Sequence, residues 1–124
     1  MNVQAQRNET KRLLSLSYNS KENVIKFGEN ESFEHFLAKC LLCWEAKLEE
    51  KDFVTEAIFE NGKRADILIL DDCEAWEILK SESMAEFKAK QESYPVDQVL
   101  PLQAKKVIRK NIEMYLPEWK LVRK

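Results

Sequence analysis

Between residues 53 and 79 the chain carries three short apolar runs, FVTEAIF, RADILIL and AWEIL, with little room between them. The first gap, ENGK, contains Asn61-Gly62, a pair that accepts the positive φ angles of a tight hairpin turn. Each run is too short for a helix and rich in β-branched or aromatic residues, so the stretch folds as a three-strand antiparallel meander. That meander has an awkward content. Asp66 lies inside the second strand and Glu77 inside the third, and a buried carboxylate without a partner is costly.

The flanking segments switch to helical spacing. From Glu31 to Lys51, Phe33, Phe36, Leu37, Cys40, Leu41, Trp44 and Leu48 form one apolar stripe, with Asn30 or Ser32 as N-cap. After the meander, Ser83 to Glu86 is a capping box opening a helix through about Gln91, which Pro95 closes. QVLPL is a fourth strand, and AKKVIRKNIEMYL a last helix with Val107, Ile108, Ile112 and Tyr115 inward and Pro117 at its end. The order is helix, three strands, helix, strand, helix: an α/β fold on a mixed sheet, the fourth strand parallel to an earlier one after its helical crossover. Residues 1–29 are an N-terminal extension, where LLSLSYN and NVIKFG suggest a β-hairpin. Residues 30–116 form the core, and 117–124 a basic tail.

Strand alternation sets Asp66, Leu68 and Leu70 on one face, and Glu77 and Leu79 on one face. A two-residue turn at Asp72-Cys73 would place Asp66 opposite Leu79 and diagonal to Glu77, roughly 7–8 Å away. One divalent cation could then neutralise both carboxylates, and Mg²⁺ suits oxygen ligands. The alternative is an ion pair for each, with Arg64 or Lys80. Glu34 falls at the border of the helical stripe, where a carboxylate can reach over the sheet edge. His35 and Lys39, at i and i+4, point away from the stripe as a solvated pair. Glu56 on the first strand stands beside Asp66 as a further ligand or as a surface residue. Cys40-x-x-Cys43 lacks the four ligands of a zinc site and belongs to the core, and three cysteines without paired spacing fit a reducing compartment.

An αβββαβ order with Asp66 in RADILIL and Glu77 in WEILK resembles the PD-(D/E)xK nuclease superfamily, particularly its archaeal Holliday junction resolvase and CoiA-like branches. SFEHFLAK, residues 32–39, is similar to the helix motif of the latter. The resemblance covers residues 30–116. It implies a restriction-endonuclease-like core and a DNA endonuclease that holds Mg²⁺ or Mn²⁺ on Asp66, Glu77, Glu34 and Glu56. It also draws His35 toward the site, and the resolvase likeness implies branched DNA substrates and a homodimer. The family pattern Glu-x-Lys fails here, because position 79 is Leu and the lysine is Lys80. Three readings follow: a bulge re-aims Lys80, a helical lysine such as Lys39 or Lys88 replaces it, or the domain is an inactive relative that binds nucleic acid.

Charge is divided along the chain. Residues 1–99 hold 20 Asp/Glu against 13 Lys/Arg, whereas 100–124 hold seven Lys/Arg against two Glu. Lys106, Arg109 and Lys110 lie within one helical turn, a cluster suited to DNA phosphates or to a solvated face. No apolar run reaches the roughly 18 residues of a membrane span, and the polar start has no signal-peptide core, so the expectation is a cytoplasmic protein.

Overall fold

The structure is a computed structural model describing residues 2–17, 20–80 and 84–116. Its elements are α1 (Val3–Lys11), α2 (Phe33–Leu48), β1 (Phe53–Ile58), β2 (Arg64–Ile69), β3 (Glu74–Leu79), α3 (Met84–Ser93), β4 (Gln98–Gln103) and α4 (Ala104–Tyr115). The strands form one mixed sheet in the order β1-β2-β3-β4. The first three are antiparallel, and β4, returning after α3, is parallel to β3. This is the α/β order expected for residues 30–116. The expected Ser83 cap and the 117–124 tail lie outside the described residues. No helix among the described residues is long and apolar enough to cross a membrane.

Both faces of the sheet are covered. On one side Leu14, Val54, Leu68, Leu79, Phe87 and Tyr94 share an apolar layer; on the other, Ala38, Leu42, Ile67, Ile69, Trp76 and Val107 do. The central strands β2 and β3 therefore bury both faces, which explains their nearly unbroken apolar content. Packing also turns α2 away from the expected orientation. Its buried residues are Ala38, Lys39, Leu42, Cys43 and Ala46, whereas Phe33, Trp44 and Leu48 are exposed. Small residues on the inward face let the helix lie close to the sheet, and close packing outweighs the bulk of the aromatic stripe.

The N-terminal extension differs from expectation as well. Residues 3–11, for which no element was expected, form α1, capped by the Asn2 side chain, and in place of the hairpin expected over residues 13–28, of which 18 and 19 lie outside the described residues, Leu14 makes a single bridge to Phe59. The second arm runs beside the free edge of β1 without becoming a strand. Asn23 N–H donates to Phe53 O, Lys26 N–H to the Thr55 hydroxyl, and that hydroxyl to Val24 O. At the opposite edge, β4 carries Pro101, a residue tolerated where one side of a strand needs no donor.

Two registers position the carboxylates. β2 and β3 pair Ile67 with Trp76 and Ile69 with Glu74, so the same register sets Asp66 opposite Glu77 and not Leu79. The connection is four residues, Leu70 to Cys73, not the two-residue turn expected, with Cys73 at φ 50°. Between β1 and β2 the ladder pairs Thr55 with Ile67 and Ala57 with Ala65 but skips Glu56 and Asp66. Glu56 has φ 50°, a conformation uncommon outside glycine. Ala57 and Ala65 then fall in the same apolar layer as Val54 and Leu68, so simple alternation is broken at this point in both strands.

Helix α1 is tied on by Thr10, which is buried and whose hydroxyl lies 2.7 Å from Leu70 O. Arg7 adds a two-pronged bond to Asp71, 2.9 Å on each prong. Replacing Thr10 with Val keeps the volume but leaves Leu70 O without this donor, so Thr10→Val should lower stability by about 1–3 kcal/mol in urea unfolding. An unchanged midpoint would show that α1 docks by apolar contact alone.

Candidate functional site at the ends of β2 and β3

Where the β2–β3 ladder ends, carboxylates take over its hydrogen bonds. Asp66 N–H donates to Glu77 Oε2 at 2.8 Å, and Ile78 N–H donates to Asp66 Oδ2 at 2.8 Å. Each acid thus occupies the position of a backbone carbonyl on the other strand, which parts the strands and turns their last backbone amides toward side chains. The remaining oxygens look to different layers. Asp66 Oδ1 is 3.4 Å from His35 Nε2 on α2. Glu77 Oε1 accepts from the hydroxyl of Tyr94, the residue just after α3, at 2.8 Å and is 3.6 Å from Lys90 Nζ on α3.

A second charge group adjoins the first through α2. Ser32 caps the helix, its hydroxyl accepting from His35 N–H. Glu31 pairs with the His35 ring through Nδ1. Lys39, one turn further on and fully buried, is 2.9 Å from Glu31 Oε2 and 3.3 Å from Glu56 Oε2, and donates to Lys26 O at 2.6 Å. Gly28 is required by this arrangement: a Cβ there would stand 2.6 Å from Glu56 Oε1.

Electrostatics follow from these contacts. The hydrogen bond His35 donates to Asp66 raises the His35 pKa to about 9, against a lowering by burial and with Glu31 adding to the rise, so His35 is an imidazolium at neutral pH. Burial, then the neighbouring Asp66 charge, pushes Glu77 up to about 7, against the Asp66 amide and Tyr94 hydroxyl. Burial would raise Glu31 too, but the Gly28 amide, Lys39 and His35 together hold it below the usual carboxylate range.

A cavity of about 350 Å³ opens on this network, lined by Gly28, Glu31, His35, Glu56, Asp66 and Lys80 among others. The structure therefore brings together Asp66, Glu77, His35, Glu56 and Lys80 from the expected set. His35 and Lys39 are not a solvated pair, because both face carboxylates. Lys80 lies one residue beyond β3 and faces the cavity; the strand ends before it, so no bulge is needed to re-aim it. Glu34, in the first turn of α2, has a buried Oε1 with no hydrogen-bond partner. Lys106, Arg109 and Lys110 lie on α4, away from the carboxylates. Lys110 Nζ is 3.1 Å from Glu45, Lys106 and Lys110 line a separate cavity of about 390 Å³ with Leu79 and Gln103, and Arg109 is exposed. Cys40, Cys43 and Cys73 are free thiols.

Glu31, Lys90 and Tyr94 complete the network without having been singled out in the sequence. Glu31 had a signal, since Glu31, His35 and Lys39 recur every four residues and so share a helix side. Lys90 and Tyr94 reach Glu77 only through the fold.

Among the described residues, no three His, Cys, Asp or Glu side chains converge as they stand to hold a metal ion. The donor chemistry of Asp66, Glu77 and Glu56, all carboxylate oxygens, nevertheless suits a hard divalent cation, whereas Glu34, whose buried Oε1 is unpartnered, does not line the cavity. Comparisons of the chain with protein-family models, curated proteins and solved structures gave no match.

The pKa values set a pH dependence. Both groups are raised in the folded state, so each stabilises the fold at low pH and loses that contribution as pH rises. Glu77 does so between about 4.5 and about 7, and His35 between about 6.5 and about 9. Stability should decline in two steps across those windows, with Glu77→Gln removing the lower step and His35→Gln the upper one. Chemical unfolding at stepped pH reads this directly, and a flat profile in the wild type would refute it.

Proposed function

We propose that this protein is a metal-dependent DNA endonuclease with a restriction-endonuclease-like core, acting on branched or recombination and repair intermediates. One observation carries the reading: Asp66 and Glu77 oppose each other at adjoining strand ends, close enough that the charge of one helps keep the other protonated near pH 7. Asp66 and Glu77 would hold Mg²⁺ or Mn²⁺, with Glu56 as a further oxygen donor. An ion held there would supply Lewis-acid chemistry, a lowered water pKa and compensation of charge on a phosphodiester.

The chain's own residues then have distinct tasks. His35, as an imidazolium, steadies Asp66 from the helix side. Lys39 neutralises Glu31 and Glu56 and so is not free to act on substrate, whereas Lys80, which lines the cavity, would take the role of the family lysine toward the scissile phosphate. Lys88 is exposed on α3, and Lys90, also on α3, stands at Glu77. Cleavage should require Mg²⁺ or Mn²⁺ and fall at least about a hundredfold in Asp66→Ala or Glu77→Ala, the scale of losing a main electrostatic group. Chelator-resistant cutting, or full activity in both variants, would overturn the assignment.

A second reading has its own support. Both oxygens of Glu77 already have protein partners, and position 79 is Leu, so the domain could serve as a nucleic-acid-binding module without catalysis. DNA binding without cleavage under Mg²⁺ and Mn²⁺ would select it. In either case the α4 cations supply phosphate contacts. Changing Lys106, Arg109 and Lys110 together to Gln should weaken DNA binding and make log K less steep against log salt by roughly two to three ions. An unchanged slope would mark them as a solvated face.

A further inference from the structure

The outward side of α2 carries an aromatic track that the burial of Ala38, Leu42 and Ala46 leaves free. Phe27 and Phe33 flank the Gly28–Ser32 segment that lines the carboxylate cavity, and they are 77% and 78% exposed. Phe27 lies flat on Phe36, ring centroids 4.0 Å apart at 16°, so one face of its ring is packed. Its high exposure means that the other side is open to solvent. Phe33 and Phe36, three residues apart, are neighbours on one helix side. Trp44 continues that side near the other end of α2, exposed, with Lys47 Nζ 5.9 Å from its ring centroid. Beside Trp44 a cavity of about 640 Å³ opens, lined also by Ile25, Cys40 and Phe53. Phe33 and Trp44 are separated by roughly 16 Å along the helix.

Exposed aromatics cost solvation, and packing of the fold does not account for these. Phe27, supported on one side and open on the other, and the exposed rings of Phe33 and Trp44 offer faces of the kind that unpaired nucleobases stack on, whereas the paired bases of a duplex keep their faces covered. Cations stand at both ends of the track, Lys47 at one and Arg64 and Lys80 at the cavity at the other, where Glu29, Glu31, Glu56 and Asp66 also line the wall and repel a phosphate backbone until a divalent cation offsets them. We propose that the track takes an unpaired nucleic-acid strand, with bases on Phe27, Phe33 and Trp44 and the backbone passing toward the Asp66–Glu77 site. This rests on the nuclease reading and narrows its substrate to single strands or to the unpaired arms of branched DNA.

The test uses the full chain and a fluorescently labelled oligothymidylate, compared with a blunt duplex of equal length, with Ca²⁺ in place of Mg²⁺ to suppress cutting. Fluorescence anisotropy should show the single strand binding at least about tenfold tighter than the duplex, and Phe27→Ala and Trp44→Ala should each weaken it by about fivefold or more. Both side chains are exposed, so circular dichroism should show both variants folded. Trp44→Phe, which keeps a stacking face, should retain most of the affinity. Equal binding of both DNAs, unaffected by these variants, would overturn the inference; if that duplex is then cut under Mg²⁺, the nuclease reading survives alone. Binding of neither DNA by the wild type would sink both. Affinity loss that Trp44→Phe does not rescue would show that Trp44 acts otherwise than as a stacking face and would also overturn the proposal.

Discussion

An ammonium group sealed inside the protein organises everything around the candidate site. Lys39 is fully buried, and removing such a charge from water costs several kcal/mol unless opposite charges and acceptors surround it. Here Glu31, Glu56 and the carbonyl of Lys26 do so, drawing together α2, β1 and the segment before α2. Those three pieces form one wall of the cavity, and the glycine that lets the loop approach Glu56 belongs to the same arrangement. Taking Lys39 away would leave two largely buried carboxylates without their shared cation, a loss on the scale of about 3–5 kcal/mol for breaking such a network. The placement of His35, and through it Asp66, thus depends on a residue that never meets solvent.

The second organising feature is the exchange of backbone for side-chain acceptors between β2 and β3. A ladder that ran on would keep Asp66 and Glu77 on a regular pleat. Because each acid bonds the amide of the other strand, the strands part and the acids are held by the backbone itself. The left-handed Glu56 acts in the same direction from β1, breaking the ladder opposite Asp66. Strain of this kind, on the order of 1–3 kcal/mol, persists only where surrounding contacts over-determine it, and such positions cluster at functional sites.

The order of elements in residues 30–116 was legible because hydrophobic period and turn chemistry agreed: Asn61-Gly62 between two runs, apolar repeats in α2, Pro95 before β4. Which side of α2 faces inward was not, since burial favoured Ala38 and Ala46 over Phe33 and Trp44. The N-terminal segment misled for a different reason. Leu13 and Leu14 look like strand residues, yet Leu14 makes one bridge only, while the polar 3–11 stretch is held as a helix by an Asn2 cap and by Thr10 and Arg7 contacts to distant residues. At the site, Asp66 and Glu77 could be named from strand pattern, whereas His35, which helical spacing alone set in solvent, and Lys80 were reached only through the nuclease resemblance. The register of the two acids was not legible, because it turned on the length of the Leu70–Cys73 connection. Lys90 and Tyr94 were invisible because only tertiary packing brings α3 to Glu77.

The two rims of the sheet have a further consequence. An open strand edge is a template onto which another chain can add, and both edges here are blunted. Beside β1, the Asn23–Lys26 segment already engages the backbone of Phe53 and the hydroxyl of Thr55 without continuing the pleat. In β4, Pro101 offers no amide to a newcomer. Growth by strand addition is thereby discouraged among the described residues, and crowded molecules are hindered from zippering into a continuous sheet.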